Sequence, residues 1–390
     1  MVDSVYANTD NFVLALGLMS GTSLDGVDAA LIKTDGSSVV ETLAAVTIPY
    51  SDELRASLRD LIRRAEWMPD VDPVTEVMTR AHAEAVEKLL RDSGVPAEAL
   101  SVIGFHGQTI LHRPEAGLTW QIGDGALLAE LTGVNVVSDF RSADMAAGGE
   151  GAPLAPIYHA ALASKLDKPV AILNIGGVSN VTWIGPDIGS GVGVSGLGVD
   201  MSGGVGGNGG EGLLAFDTGP GNAMIDDWVL ANTGKPMDEN GALAAAGRVD
   251  AAIVATMLEN TYFDRKPPKS LDRNAFDAGV ISNLTLVDGA ATLTTFTVAS
   301  IGLAADHFPS PVSHWYVCGG GRKNQTLMSS LAQRLQTPVA SVEALGWDGD
   351  SLEAQAFGYL AVRRLRSAPI SFPMTTGAPG PLVGGQLDPA

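Results

Sequence analysis

The chain has 390 residues, with 24 Lys and Arg against 44 Asp and Glu and a formal net charge of −20. Such a field excludes nucleic acid and anionic membrane as natural partners, and any nucleotide site must be neutralised locally by Mg2+ and backbone dipoles. A single cysteine, Cys318, excludes an internal disulfide and a cysteine-based metal cluster; with 45% hydrophobic residues, no basic leader and no run approaching a membrane span, the chain reads as a soluble, cytoplasmic protein of two to three domains.

The first pattern is an apolar run from Leu14 that breaks over 17–23 and resumes over 27–32. Two β-prone segments around a Gly, Ser, Thr and Asp turn predict a β-hairpin. Its turn offers hydroxyls and successive backbone N–H groups, the chemistry of an anion nest, although an ordinary solvated loop accounts for it equally well. Residues 42–49 read as a third strand, followed by helices over 52–66 and 72–93. The second has Val77, Ala81, Ala85 and Leu89 on one face and Gly94-Val95-Pro96 as its stop. Residues 101–105 are expected to form a short buried strand ending on His106-Gly107-Gln108-Thr109. His106 alone reads as a structural histidine, but three polar groups at a strand end in an α/β sheet point to binding. Asp124 reads as the N-cap of a helix over 126–131, and 134–137 as a strand leading to Arg141, placed either as a surface residue or as an anion clamp. The Gly-rich stretch 148–153 marks the expected boundary between the first two domains.

The second half restarts the pattern. Residues 169–173 read as a buried strand, Asn174–Asn180 as a polar turn with Gly176 and Gly177, and 181–184 as the returning strand. A second phosphate-suited hairpin about one domain after the first suggests an internal duplication. Residues 185–212 are a low-complexity Gly-rich loop, whose formal G-x-G-x-x-G lacks the helix a dinucleotide fingerprint requires. A strand over 213–216 leads to Asp217-Thr218-Gly219 and a helix over 223–231, which makes Asp217 either a turn residue or a carboxylate beside helix N-terminal amides. Further helices are expected over 238–246, 250–259 and 295–307. A strand over 313–317 runs into Gly319-Gly320-Gly321, which opens a helix over 325–335, and 352–366 is the last helix, with Glu353 in its first turn. The tail from Pro369 reads as irregular.

With these segments in place, the chain resembles the anhydro-N-acetylmuramic acid kinases of the actin-like, sugar kinase and Hsp70 ATPase superfamily. The likeness is carried by GLMSGTSLDGVDAALI (17–32), FHGQT (105–109), QIGDGALLA (121–129), DFRSADMAAGGEGAP (139–153), NIGGVSN (174–180), FDTGPGN (216–222), CGGGRKN (318–324) and DSLEAQAFGYLA (350–361), in order over nearly the whole chain. The Gly-rich segment 187–212 departs from the family pattern. The resemblance implies a two-lobed α/β actin-like fold of duplicated mixed-sheet domains, with ATP and substrate between lobes placed at 1–150 and 151–350 and a segment 351–390 returning to the first. On it, Gly21, Thr22, Ser23, Leu24, Asp25, Gly26, Val27 and Asp28 contact nucleotide phosphates, with Gly176, Gly177 and Gly219 contributing from the other lobe. Gly319, Gly320 and Gly321 lie against the adenosine, Asp217 is the catalytic base, and His106, Gln108, Arg141 and Glu353 form or support the sugar pocket. No protein ligand to a metal is expected, Mg2+ travelling with ATP. The implied reaction phosphorylates O6 of 1,6-anhydro-N-acetylmuramate while water opens the anhydro bridge, in the recycling of cell-wall amino sugars. The rivals are an ordinary sugar kinase acting on a free hydroxyl and a non-catalytic, nucleotide-switched ATPase. The expected partners are ATP and a small amino sugar, with a homodimer left open.

Overall fold

The computed structural model describes residues 12–21, 23–65, 71–186, 212–273 and 275–390; Thr22 and all but the ends of the Gly-rich segment lie outside the described residues, as does the expected last turn of the first helix at Glu66. The chain forms two compact units. Among the described residues, the first comprises 12–165 and Ser351–Ala390, and the second 166–186 and 212–350. The division after Lys165 falls downstream of the Gly-rich stretch 148–153, which folds within the first unit.

The first unit opens with β1 (Val13–Ser20), β2 (Gly26–Thr34) and β3 (Val40–Pro49), continues through α1 (Asp52–Arg63) and α2 (Asp72–Ser93), and then β4 (Leu100–Arg113), β5 (Leu118–Ile122), α3 (Gly125–Thr132), β6 (Val136–Ser138), α4 (Ser142–Ala146) and α5 (Pro156–Leu162). The second carries β7 (Val170–Ile175), β8 (Val178–Ile184), β9 (Leu213–Pro220), α6 (Ala223–Thr233), α7 (Ala242–Ala246), α8 (Ala251–Leu258), α9 (Leu286–Ala304), β10 (His314–Cys318), α10 (Gln325–Leu335) and β11 (Val339–Ser341). The chain then returns to the first unit with α11 (Leu352–Leu365), α12 (Pro373–Thr376) and β12 (Gln386–Asp388), which pairs antiparallel with β6. The tail is therefore structured, because its outermost strand completes a sheet edge.

The two sheets share one topology. The first runs β12-β6-β4-β1-β2-β3, with β5 attached to β4; the second runs β11-β10-β7-β8-β9. In each, an antiparallel hairpin is followed by an antiparallel third strand, while a later strand joins the first strand in parallel and a further one pairs in parallel with that later strand. The apolar runs at Leu14–Leu18 and Val170–Leu173 are continuous rather than alternating, as strands covered on both faces require. In the first unit α1 and α2 pack on one face and α11 on the other. Gly17 and Gly104 permit that second approach, since a Cβ on Gly17 would stand 1.8 Å from the Ala354 carbonyl oxygen and one on Gly104 2.1 Å from that of Phe357.

Several expectations change. The strand expected to end at Phe105 continues to Arg113, so His106, Gln108 and Thr109 lie within β4. Gly107, at φ +72°, kinks the strand beside a register shift against β1, and that local kink reads as a turn in sequence. On α2 the buried side is Met78, Thr79, His82, Ala85, Val86 and Leu89, while Val77 is 53% exposed. Two polar residues hid this face, each bonding a carbonyl of its own helix: Thr79 donates to the Thr75 carbonyl at 2.7 Å, and His82 Nδ1 bonds the Met78 carbonyl at 2.8 Å. Helix α9 begins nine residues earlier than expected, at a Thr285 N-cap; its Gly and β-branched residues argue against a helix, but burial on nearly all sides outweighs their weak propensity. By length and composition Leu286–His307 could cross a membrane, contrary to the expectation that no run would; 67% of that window is buried, as in a core helix.

Candidate active site

In the first unit the hairpin turn is held from behind. Leu24, at φ +59° and 3% exposed, anchors the turn in the core and donates its N–H to the Gly21 carbonyl at 3.2 Å. Arg55 of α1 donates to the Leu24 carbonyl at 3.0 Å and to the Asp25 carbonyl at 3.3 Å, and the Tyr50 N–H also reaches the Asp25 carbonyl at 3.1 Å. Because a trans peptide points its C=O and N–H in opposite directions, drawing these carbonyls back turns the N–H groups of Asp25 and Gly26 the other way. Ser23 and Asp25 are exposed, Val27 is fully buried in the core, and the Asp28 carboxylate accepts from the Thr47 hydroxyl at 2.6 Å.

Gln108 belongs to this turn. Its Oε1 accepts from the Ser20 hydroxyl at 2.5 Å, its Nε2 donates to the Gly21 carbonyl at 3.4 Å, and the Tyr50 hydroxyl donates to Ser20 Oγ at 2.7 Å. At 0% exposure it braces the hairpin turn from behind. His106 and Arg141 form a separate pair. His106 Nδ1 bonds the Gly107 carbonyl at 2.9 Å, and Arg141 lies 3.0 Å from Nε2 and donates to the Gly151 carbonyl at 2.9 Å. Arg141 offers only donors, so Nε2 accepts and the proton of a neutral ring sits on Nδ1. Burial, then the Arg141 charge, push the His106 pKa down to about 3. His112, six residues further along β4, is lowered to about 3 for the same reasons. Glu353 is half-buried in the first turn of α11, and Phe357 one turn on packs against His106 at 4.5 Å between ring centres.

The second unit repeats the held turn chiefly with backbone groups, and the Asn222 side chain adds a bond to the Ile175 carbonyl at 3.1 Å. The N–H groups of Gly221 and Asn222 donate to the Gly177 and Gly176 carbonyls at 2.9 and 2.7 Å, and Ala223 N–H reaches Gly177 at 3.2 Å. The amides at the start of α6 thus bind the turn. Planarity again directs the Gly177 N–H away from α6. Gly221 must be glycine: a Cβ there would stand 2.2 Å from the Gly176 oxygen.

Asp217 lies within β9, opposite Asn180 and beside a bulge, and is 8% exposed. Being on an edge strand, its backbone needs partners from outside the sheet. Residues 262–271 supply them: Asp217 N–H donates to the Lys269 carbonyl at 2.9 Å, the Tyr262 hydroxyl donates to the Asp217 carbonyl at 2.5 Å, and Leu271 N–H donates to Asp217 Oδ2 at 2.8 Å. Gly219, at φ +151°, clears Ser300, whose Oγ would be 2.6 Å from a Cβ. Gly319, at φ +74°, turns β10 beside Asn174 and Ile175, and Gly320 is exposed. Arg322 fixes that turn, donating to the Gly319 carbonyl at 2.9 Å, to Asp350 at 2.9 Å and to Glu343 at 2.6 Å. Those bonds pull the Asp350 pKa down to about 2.

The sequence reading missed Arg55, Tyr50, His112, Arg322 and the whole 262–271 segment. One signal was present: Arg265, Lys266, Lys269 and Arg273 crowd four cations into nine residues of a strongly acidic chain.

The family model for anhydro-N-acetylmuramic acid kinase matches residues 13–195 and 208–390, omitting only part of the Gly-rich segment between its two ends. The chain belongs to this family. An anhydro-N-acetylmuramic acid kinase of Paramagnetospirillum magneticum is 52% identical over 377 residues, covering 96% of this chain and 99% of the relative. Another from Rhodospirillum rubrum is 50% identical over 384 residues, covering 98% and 96%. Among solved structures, component A of (R)-2-hydroxyglutaryl-CoA dehydratase from Acidaminococcus fermentans aligns with a TM-score of 0.46 at 14% identity, covering 91% of this chain and 99% of that one. An anhydro-N-acetylmuramic acid kinase therefore builds its Gly-rich turns and its DTG aspartate on two copies of one strand order.

Proposed function

We propose that Asp217 is the base with which this ATP-dependent sugar kinase directs water onto C1 of 1,6-anhydro-N-acetylmuramate while O6 captures the γ-phosphoryl group of ATP. The water oxygen forms a bond to C1 as the C1–O6 bond breaks, O6 bonds phosphorus as the bond to ADP breaks, and the water proton passes to Asp217. Ordinary inverting glycoside hydrolysis needs a second carboxyl group as acid for the leaving oxygen. Here phosphorus takes that oxygen, so one fixed carboxylate suffices. The observation that carries this reading is Asp217 itself: nearly buried, with one carboxylate oxygen held by Leu271 N–H, and on the strand that leads into the Gly177-bonded helix start.

The turns at Gly21–Gly26 and Gly176-Gly177 suit phosphate because neighbouring groups draw their carbonyls back. Phosphoryl transfer needs chiefly such positioning and N–H donors. Mg2+ carried by ATP would neutralise charge on the transferring phosphoryl group. The Gly319–Gly321 turn, braced by Arg322, is the proposed adenosine contact. His106, kept neutral, and Arg141 are proposed for the sugar, with Glu353 in the same unit and Gln108 serving the phosphate turn.

The test is mass spectrometry of the product made from the anhydro sugar and Mg·ATP in ¹⁸O-water. The expected product gains one phosphate and one water, carries label at C1 and none in the phosphate, and forms first as the α-anomer, because O6 leaves C1 open on the opposite face. Phosphate without water would indicate a kinase acting on a free hydroxyl. Label in the phosphate would mean that water attacks phosphorus, and the coupled ring opening would be wrong.

A further inference from the structure

Lys269 is 3% exposed, a rare place for an ammonium group, since removing a charge from water is costly unless it is well partnered. Its Nζ donates to the Tyr262 carbonyl at 3.1 Å and lies 4.6 Å from the centre of the Tyr262 ring and 5.9 Å from that of Phe216. The side chain thus crosses from one end of the 262–269 segment back to the other. Both tied ends hold Asp217: the Tyr262 hydroxyl and the Lys269 carbonyl bond its backbone, and Leu271 N–H bonds its carboxylate. Phe216, the second ring under the ammonium, is the residue before Asp217.

We propose that Lys269 is a positioning residue for the Asp217 carboxylate, closing the Tyr262–Leu271 segment into a bracket that aims Leu271 N–H at Oδ2. A hydrophobic residue of the same length would fill the space but would leave the Tyr262 carbonyl without this donor and the bracket untied. The inference rests on the reading of Asp217 as the base. Titratable groups around the strap are Asp264 and Arg265 on its own segment and His307 after α9. Burial first, with Arg265 reinforcing and Asp264 opposing, lowers the Lys269 pKa to about 8, so the strap carries its charge at neutral pH.

The test measures kcat and KM for both substrates from pH 5 to 9 in wild type, Lys269→Met and Asp217→Asn. For Lys269→Met, kcat is expected to fall by about 10²-fold, the cost of misplacing a catalytic group by about an ångström, with both KM values within about threefold of wild type. The acid limb of kcat should also move to higher pH, because a carboxylate that loses a donated N–H is harder to keep ionised. Wild-type kcat in Lys269→Met, or a lower kcat with an unmoved acid limb, overturns the positioning role while leaving the base reading intact. Full turnover in Asp217→Asn overturns the base reading instead. If Lys269→Met fails to fold, Tyr262→Phe removes only the hydroxyl that bonds the Asp217 carbonyl and keeps the ring under the ammonium. It should lower kcat by about tenfold with the same shift of the acid limb, about one hydrogen bond's worth, and an unchanged kcat and acid limb would refute the bracket.

Discussion

The two hairpin turns do one task with different means. Each sheet places a Gly-containing turn between its first two strands, and in each the turn's carbonyls are drawn back by neighbours. The first unit does it with a side chain, Arg55, which is 26% exposed, plus the Tyr50 N–H. The second does it with the N–H groups of Gly221, Asn222 and Ala223, the first at a position with no room for a Cβ. The cross-strand pair two positions into the second strand differs more. In the first unit it is Asp28 opposite Thr47, tied to each other; in the second it is Asn180 opposite Asp217. The carboxylate has changed strands, and on edge strand β9 it is held from outside the sheet by Leu271 instead of by its cross-strand neighbour. On the proposed reading, a duplicated scaffold thus supplies two phosphate turns and one base, and among the described residues it is the second sheet whose edge strand is held by the 262–271 segment.

The sharpest way to break this comparison is at that pair. Asp217→Asn should reduce turnover by ~10²–10⁴ while ATP affinity stays near wild type, since the proposed phosphate contacts are backbone groups. Parallel loss of ATP binding, measured by calorimetric titration, would show that the two functions are not separate.

The units should also part in acid. His82, His106, His112 and His159 all lie in the first unit with pKa values lowered by burial to about 4, 3, 3 and 4. Each stays neutral in the folded chain while its unfolded form gains a proton below about pH 6.5, so stability is full above that value and declines as pH falls towards 4. For the three buried rings, His82, His106 and His159, the loss reaches about 1.4 kcal/mol per pH unit each. Hydrogen exchange at pH 7 and pH 5 should show first-unit peptides losing protection first. Equal loss in both units would contradict this.

Within the second turn, Gly221→Ala sets a Cβ against the Gly176 oxygen. An overpacking cost of about 1–3 kcal/mol implies a rise in KM for ATP of roughly tenfold to a hundredfold. In the first turn, Arg55→Gln should raise KM for ATP only about fivefold, because the Tyr50 N–H still holds the Asp25 carbonyl and the lost bonds are partly solvated. If Arg55→Gln proves the worse of the two, the backbone-held turn is not the more rigid one. Smallest of all, Thr47→Val should leave turnover within about twofold, since its hydroxyl serves only Asp28 on the strand that lacks a base.

What the sequence determined by itself was local and periodic. Continuous apolar runs flanking Gly, Ser and Thr turns specify both hairpins, because strands buried on two faces and turns with exposed N–H groups have compositions few other structures share. The Asp124 cap was legible for the same reason, its side chain bonding an amide three residues on. Motif order over the whole chain carried the family. Tertiary structure alone decided which groups hold those turns. Arg55, Gln108 and the 262–271 segment reach these partners across 30 to 88 residues of chain, and no periodicity records a contact of that span. It also decided that His106 and Gln108 sit inside a strand, because Gly107 can kink a ladder that β5 continues to satisfy. And it decided that Asp217 belongs to an edge strand: whether a strand has a free side depends on what the rest of the chain places next to it.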